Sequence, residues 1–372
     1  MNKDYKRLLE LIPSVDDYNW ALHTGEWRPH VSFFASTHYN KKHVSTDSKG
    51  FRQTYIKDSL IKLDNMATQP INIMLGGSVT FGAGASSDKK TIPSYLNNID
   101  LDDQSKWVNF GANGFTGGQE LILFMMYRHL FQNIKRVILF SGYNDIRIFF
   151  MSDKYNNDFG TVHHASLFRK TFVPNIEHSF ISRVIRKLID SFYSKEIKKY
   201  GIDMNTIKLK PLINFLRKKI TYKQLQQTTH QSAFYKIQDH KKEVKNIIQP
   251  IKNNFSNWEI LSKQLGFEII YIMQPYYKWC NKKLTKEEQE LIDLYHIRRK
   301  RDGVVKDDMD ENLYKWYQAE MTKICQTHNI MFFDMNQELK KYDIKNEWIF
   351  WDTQHMTDRG NEICARVIQD II

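Results

Sequence analysis

The sequence predicts an α/β protein built on a parallel sheet with helices covering both faces. Two observations carry this. Short apolar runs rich in β-branched residues alternate with longer segments whose apolar positions recur at helical spacing. Each apolar run also stops abruptly at glycine or at a polar turn, as buried parallel strands do before a crossover.

The first strand is Ile71-Asn-Ile-Met-Leu75, which ends in Gly76-Gly77. A helix is expected from Pro93, since proline suits a first helical turn. Trp107-Val-Asn-Phe110 reads as a second strand closed by a glycine-rich loop. Glu120 to Phe131 reads as a strongly apolar helix, and Val137-Ile-Leu-Phe140 as a third strand ending at Ser141-Gly142. Beyond Phe149 the pattern changes to segments such as Phe180–Phe192, where lysines and arginines sit between apolar positions at helical spacing. The strand pattern returns at Phe267-Glu-Ile-Ile-Tyr-Ile-Met273. Thr285-Lys-Glu-Glu288 has the form of a capping box opening a helix. Leu313, Trp316, Tyr317, Met321 and Ile324 then mark one face of the next helix. Ile330-Met-Phe-Phe333 is the last strand, and Thr357 to Ile371 the last helix.

Composition narrows the class of protein. The chain has 372 residues, 41% hydrophobic and 26% charged, proportions of an ordinary globular protein. No stretch approaches the about 20 apolar residues that a bilayer span needs. The segment Leu8-Leu-Glu-Leu-Ile12 is too short and polar for a secretory leader, so a cytoplasmic location is expected. Cys280, Cys325 and Cys364 lie far apart and without metal-ligand spacing, which favours buried thiols over disulfides or a zinc site. The net charge of +12 is uneven: Thr161–Leu265 holds 20 Lys and Arg against 7 Asp and Glu. Such an excess fits either an anionic partner or a solvated helical face.

In open parallel sheets, ligands bind at the carboxyl ends of the strands. Gly76-Gly77-Ser78 follows the first strand, Gly111-Ala-Asn-Gly114 the second and Gly142-Tyr-Asn144-Asp145 the third; Asp352-Thr-Gln-His355 precedes the last helix. Acyl transfer through serine needs a nucleophile, a base, a group that orients the base, and donors for the oxyanion. Ser78, His355, Asp352 and the amides near Gly114 and Asn144 are candidates for those roles. Taken singly, each has a plainer explanation: a helix-capping serine, a surface histidine, turn-forming Asn and Asp. Other motifs fail on residues. A phosphate-binding loop would need Lys-Ser/Thr after Gly82, where Ala83-Gly84 stand. A dinucleotide fingerprint breaks at Ala85-Ser86-Ser87, and the nucleophile elbow of α/β-hydrolases needs glycine where Thr80 stands. His163-His164 lacks the partners of a metal site, so neither metal nor cofactor is expected.

With these blocks in order, the sequence resembles the SGNH, or GDSL-like, hydrolase family over roughly Pro70–Phe150 and Phe267–Ile372. The blocks are Gly76-Gly-Ser-Val-Thr-Phe-Gly82, Val108-Asn-Phe-Gly-Ala-Asn-Gly-Phe-Thr116, Gly142-Tyr-Asn-Asp145 and Asp352-x-x-His355 followed by Met-Thr-Asp-Arg-Gly360. The resemblance implies a three-layer α/β/α, flavodoxin-like sandwich. It implies Ser78 as nucleophile, His355 as base, Asp352 as its orienting acid, and an oxyanion hole from the N–H groups of Ser78 and Gly114 and the amide of Asn144. Asp145 is expected to pin its loop. Asn40–Arg52, with Asp47-Ser-Lys-Gly-Phe-Arg52, is similar to a segment preceding the catalytic block in SGNH proteins of bacterial surface-polysaccharide or lipid modification, and reads as an arm packed on the core.

The expected organisation is an N-terminal extension at 1–68, a catalytic core at 69–150 and 266–372, and a basic helical insertion at 151–265. The expected activity is cleavage of a short-chain acyl ester on a small-molecule, carbohydrate- or lipid-like substrate, neutral or anionic, through an acyl-Ser78 intermediate. The alternatives are an O-acyltransferase with the same residues, or a non-catalytic scaffold binding anionic polymers. No specific nucleic-acid contact is expected, since no recognition motif is present.

Overall fold

The structure is a computed structural model that describes residues 3–23, 25–99, 104–151, 240–301 and 309–372. Residues 152–239, and with them the helical periodicity at Phe180–Phe192, His163-His164 and most of the basic excess, lie outside the described residues. The N-terminal arm comes first. It consists of α1 (Lys3–Leu11) and α2 (Ser14–His23), then two antiparallel hairpins, β1 (Glu26–Arg28) with β2 (Ser32–Phe34) and β3 (Thr54–Ile56) with β4 (Ser59–Ile61). The core runs through β5 (Ile71–Gly76), a short α3 (Ser78–Phe81), α4 (Ile92–Ile99), β6 (Lys106–Gly111), α5 (Gly117–Tyr127), β7 (Ile134–Ser141) and α6 (Tyr143–Met151). It continues with α7 (His240–Leu265), β8 (Glu268–Met273), α8 (Lys286–Arg301), α9 (Glu311–Thr327), β9 (Met331–Asp334), a short α10 (Met335–Glu338) and α11 (Asp358–Ile371).

The five core strands pair in parallel in the order β6-β5-β7-β8-β9. The period of two along each strand sends side chains to opposite faces. Ile73, Leu75, Val108, Phe110, Val137, Leu139, Ile269 and Tyr271 pack on one face, under Phe124 of α5, Trp258 of α7 and Tyr317 of α9. Met74, Trp107, Ile138, Phe140, Ile270 and Ile272 pack on the other, under Leu96 of α4 and Val367 of α11. The result is the expected α/β/α sandwich with a flavodoxin-like strand order. Its first core strand, β5, lies between the second and third, which places the topological switch point at the ends of β5, β6 and β7. No described helix is long and apolar enough to cross a membrane.

Several elements differ from the sequence expectation for identifiable reasons. α5 begins at Gly117 rather than Glu120, because Thr116 and Gln119 close a capping box, and it gives way after Tyr127 to a 3₁₀ turn. The stretch 240–265, counted within the basic insertion, is a core helix: Val244, Ile247, Ile248, Ile251, Phe255 and Trp258 are buried on its inner face, and its lysines stand between them. On α9, Leu313, Tyr317, Met321 and Ile324 are buried as expected, but Trp316 is 39% exposed and Tyr314 takes the inward place. The capping box at Thr285 and Glu288 forms as read.

The arm packs on the core through its own apolar cluster. Leu8, Ile12, Val15, Tyr18 and Ala21 meet Phe81 and Ala83 beside α3, and Trp351 near the C-terminal end. The Asp47–Arg52 segment explains itself structurally. Asp47 accepts the N–H groups of Lys49 and Phe51, closing a tight turn that delivers Phe51 onto Phe110 and Arg52 into the interior. The fully buried Arg52 donates to Asp88 at 2.9 Å, to the carbonyls of Phe81 and Gly82 at 3.2 and 2.7 Å, and to that of His43 at 2.7 Å. A buried guanidinium needs these partners to offset its lost hydration. In satisfying them it clamps the turn that follows Ser78.

Candidate active site

β5 delivers Ser78 to the carboxyl edge of the sheet, where α3 begins. Gly77 permits a close approach: a Cβ there would stand 2.4 Å from Asn144 Nδ2. Gly114, after β6, has φ +68°, a backbone state that glycine adopts without strain. The Asn144 side chain, buried at the start of α6, donates to the Phe115 carbonyl at 2.9 Å. Three strand ends therefore meet around the Ser78 backbone, and the fold brings Ser78, Gly114 and Asn144 into one neighbourhood.

The loop before α11 supplies the other two residues. Ser78 Oγ lies 2.6 Å from His355 Nε2, and His355 Nδ1 lies 2.6 Å from Asp352 Oδ2. Asp352 Oδ1 accepts the backbone N–H groups of Gln354 and His355 at 2.9 and 2.7 Å. These partners assign the proton on Nδ1 to the Asp352 bond and leave Nε2 as acceptor for the Ser78 hydroxyl. Burial alone would push the Asp352 carboxyl up. The adjacent His355 and the backbone N–H donors outweigh it and hold the group below the usual carboxylate range. The His355 ring stacks on Trp351 at 5.1 Å between centroids and 14° between planes. Trp351 is fixed in turn by its indole N–H, which donates to Ala83 O at 3.1 Å.

Residues that the sequence reading passed over complete the support. Glu288, wholly buried, does more than cap α8. Its Oε1 accepts the N–H groups of Ile349 and Phe350 at 2.9 and 3.0 Å, and its Oε2 those of Lys282 and Thr285 at 2.5 and 2.8 Å. It thereby anchors the strand of chain leading into Asp352. Only the capping motif was visible in the sequence. Asp145 accepts from the Gly117 N–H at 3.1 Å, as a loop-pinning residue does. Beneath it, Glu120 is buried inside the apolar run of α5; its Oε1 accepts the Ser141 hydroxyl, and its Oε2 has no protein partner.

Burial and the neighbouring Asp145 push Glu120 up to about 8, and burial pushes Asp145 up to about 6. A carboxyl that holds its proton more tightly folded than unfolded stabilises the fold fully below its ordinary value. That contribution is lost as pH rises toward the folded value. The melting temperature is therefore expected to decline between the ordinary glutamate value of 4.5 and about 8. Glu120→Gln, which keeps an acceptor for Ser141, should flatten that decline in a pH series of thermal melts. An unchanged slope would place the titration elsewhere.

The three cysteines are free and buried, and burial raises their thiols. Among the described residues, no group of three or more His, Cys, Asp or Glu is arranged to hold a metal ion.

No family model and no curated protein matches this chain. Solved structures do resemble it, and esterases and lipases recur among them. An acetyl xylan esterase, AlAXEase, is 13% identical with a TM-score of 0.39, over 81% of this chain and 100% of its own. The extracellular lipase from Streptomyces rimosus is 11% identical with a TM-score of 0.39, over 82% and 100%. A member of the lipolytic protein G-D-S-L family from Veillonella parvula DSM 2008 is 11% identical with a TM-score of 0.36, over 82% and 98%. Values this low carry no activity or substrate across to this chain; its chemistry has to be read from its own residues.

Proposed function

We propose that this protein is a serine-dependent acyl-ester hydrolase of the SGNH kind, acting through an acyl-Ser78 intermediate. The observation that carries the reading is the unbroken chain from Ser78 Oγ to His355 Nε2 and from His355 Nδ1 to Asp352, at 2.6 Å each. In this mechanism Oγ attacks the acyl carbonyl carbon as its proton passes to Nε2. The carbonyl π electrons move to oxygen, giving an oxyanion that faces the N–H groups of Ser78 and Gly114 and the Asn144 amide. Collapse expels the alcohol oxygen, which takes the proton from Nε2 and leaves Ser78 acylated. Water then attacks the acyl carbon, giving its proton to Nε2, and releases the carboxylic acid as Oγ recovers that proton. Asp352 holds the imidazole and balances its transient positive charge.

An O-acyltransferase would share every step up to acyl-Ser78 and differ only in admitting a hydroxyl where the hydrolase admits water. The intact Ser78–His355–Asp352 chain argues against a non-catalytic scaffold. The wider substrate class, a short acyl group on a carbohydrate- or lipid-like alcohol, rests on the Asp47–Arg52 likeness. Recognition of an anionic substrate would rest on the charge excess in Thr161–Leu265.

The test is labelling with a fluorophosphonate, followed by peptide mapping and a screen of acyl donors with and without sugar acceptors. An adduct on Ser78 and release of free acid support the hydrolase; transfer to the acceptor identifies the transferase. No adduct and no turnover removes both. Asn144→Ala should lower kcat by about 10²–10³ with little change in KM, because its amide acts mainly on the developing oxyanion. A loss confined to KM would make Asn144 a substrate-binding residue instead.

A further inference from the structure

The arm does more than cover the core, for it places one amphipathic side chain beside His355. Tyr18, on α2, donates its hydroxyl to Asn113 Oδ1 at 2.5 Å. Burial keeps the phenol neutral by pushing its ionisation well up. Its ring meets that of His355 at 6.3 Å between centroids and 60° between planes, and that of Phe81 at 6.2 Å. His355 is thus flanked by Trp351 on one side and Tyr18 on another. Ser78, Tyr18 and Asn144 are only 6%, 7% and 8% exposed.

The ring has little freedom to yield. It belongs to the apolar cluster with Val15, Ala21 and Phe81, and its hydroxyl is tied to Asn113. An acyl chain on Ser78 that ran toward His355 would meet this ring. A methyl group needs little room there, whereas several methylenes would have to displace a packed aromatic. The hydroxyl has a second effect, because Asn113 immediately precedes Gly114, the residue of the left-handed turn after β6.

We propose that Tyr18 is a specificity-determining and positioning residue of the Ser78 site. Its ring bars long acyl chains, and its hydroxyl holds Asn113 and so the turn that presents the Gly114 N–H. The inference rests on the reading of Ser78 as nucleophile and deepens it: the acyl group is acetyl-sized, and the arm is part of the active site.

The experiment compares p-nitrophenyl acetate, butyrate and hexanoate on the full chain, with active sites counted by fluorophosphonate titration. Wild type should lose at least about tenfold in kcat/KM from acetate to hexanoate, the scale on which a fitted pocket discriminates by methylenes. Tyr18→Ala and Tyr18→Leu should raise the hexanoate-to-acetate ratio by about tenfold. Tyr18→Phe should keep the wild-type ratio but lower kcat by about five- to tenfold at similar KM, as loss of one hydrogen bond from a positioned turn would. A flat chain-length profile in wild type overturns the proposal without any variant. So does an unchanged ratio in Ala and Leu variants whose titrated sites are active. Failure of the nucleophile reading looks different: wild type then gives no Ser78 adduct and turns over none of the esters.

Discussion

Ser78→Ala is expected to lower kcat on a small acyl ester by about 10⁶-fold while leaving the fold in place. The substitution removes one hydroxyl, whose hydrogen bond runs to His355 Nε2, and Ala fits the space at the start of α3. Circular dichroism and the thermal melt should therefore match wild type, and the fluorophosphonate adduct should vanish. His355→Ala should cost about as much, and the double variant little more than either, because nucleophile and base act as one unit. Turnover within about tenfold of wild type in Ser78→Ala would exclude Ser78 as the nucleophile.

Asp352→Asn is expected to reduce kcat by about 10⁴-fold with KM nearly unchanged. The geometry gives the reason. Oδ1 of Asp352 accepts two backbone N–H groups, so the oxygen of an asparagine amide has to take that place. Its NH₂ would then face His355 Nδ1 and donate where the carboxylate accepts. The imidazole would turn its lone pair to Nδ1 and carry its proton on Nε2, and could no longer receive the Ser78 proton. Labelling of Ser78 should slow in parallel with kcat. Because the Asp352 carboxyl is held below its usual range, its contribution to stability is present above the ordinary aspartate value and lost as pH falls through the lowered one. Normal turnover in this variant would mean that another acid orients His355.

The sheet was legible in the sequence because strand runs such as Ile71–Leu75 and Phe267–Met273 are apolar on both faces and end at glycine or at Gln274-Pro275. The candidate residues were legible for a related reason: they occupy those ends, and Asp352 and His355 stand three apart, close enough for one loop to pair them. The supporting residues were hidden because their roles depend on contacts distant in sequence. Tyr18 looks like any aromatic on an amphipathic helix until α2 is seen beside His355 and Asn113. Glu120 sits inside an apolar run, and its isolation from solvent is a property of the packed sheet. The inward face of helix 240–265 was not legible because its buried positions are interleaved with lysines, and periodicity alone cannot say which partner an apolar stripe will find.

The bond between Ser78 and His355 joins residues 277 positions apart in the chain. On the proposed reading, a chain emerging from the ribosome holds its nucleophile long before it holds its base, so an exposed activated serine would not precede the finished sheet. Closing so large a loop is slow compared with forming any local helix, and its entropy must be recovered by long-range contacts. Reactivity at Ser78 would therefore report on long-range assembly: helical signal can return while the serine is still inert, and a reactive serine would show that the segments carrying Ser78 and His355 have docked.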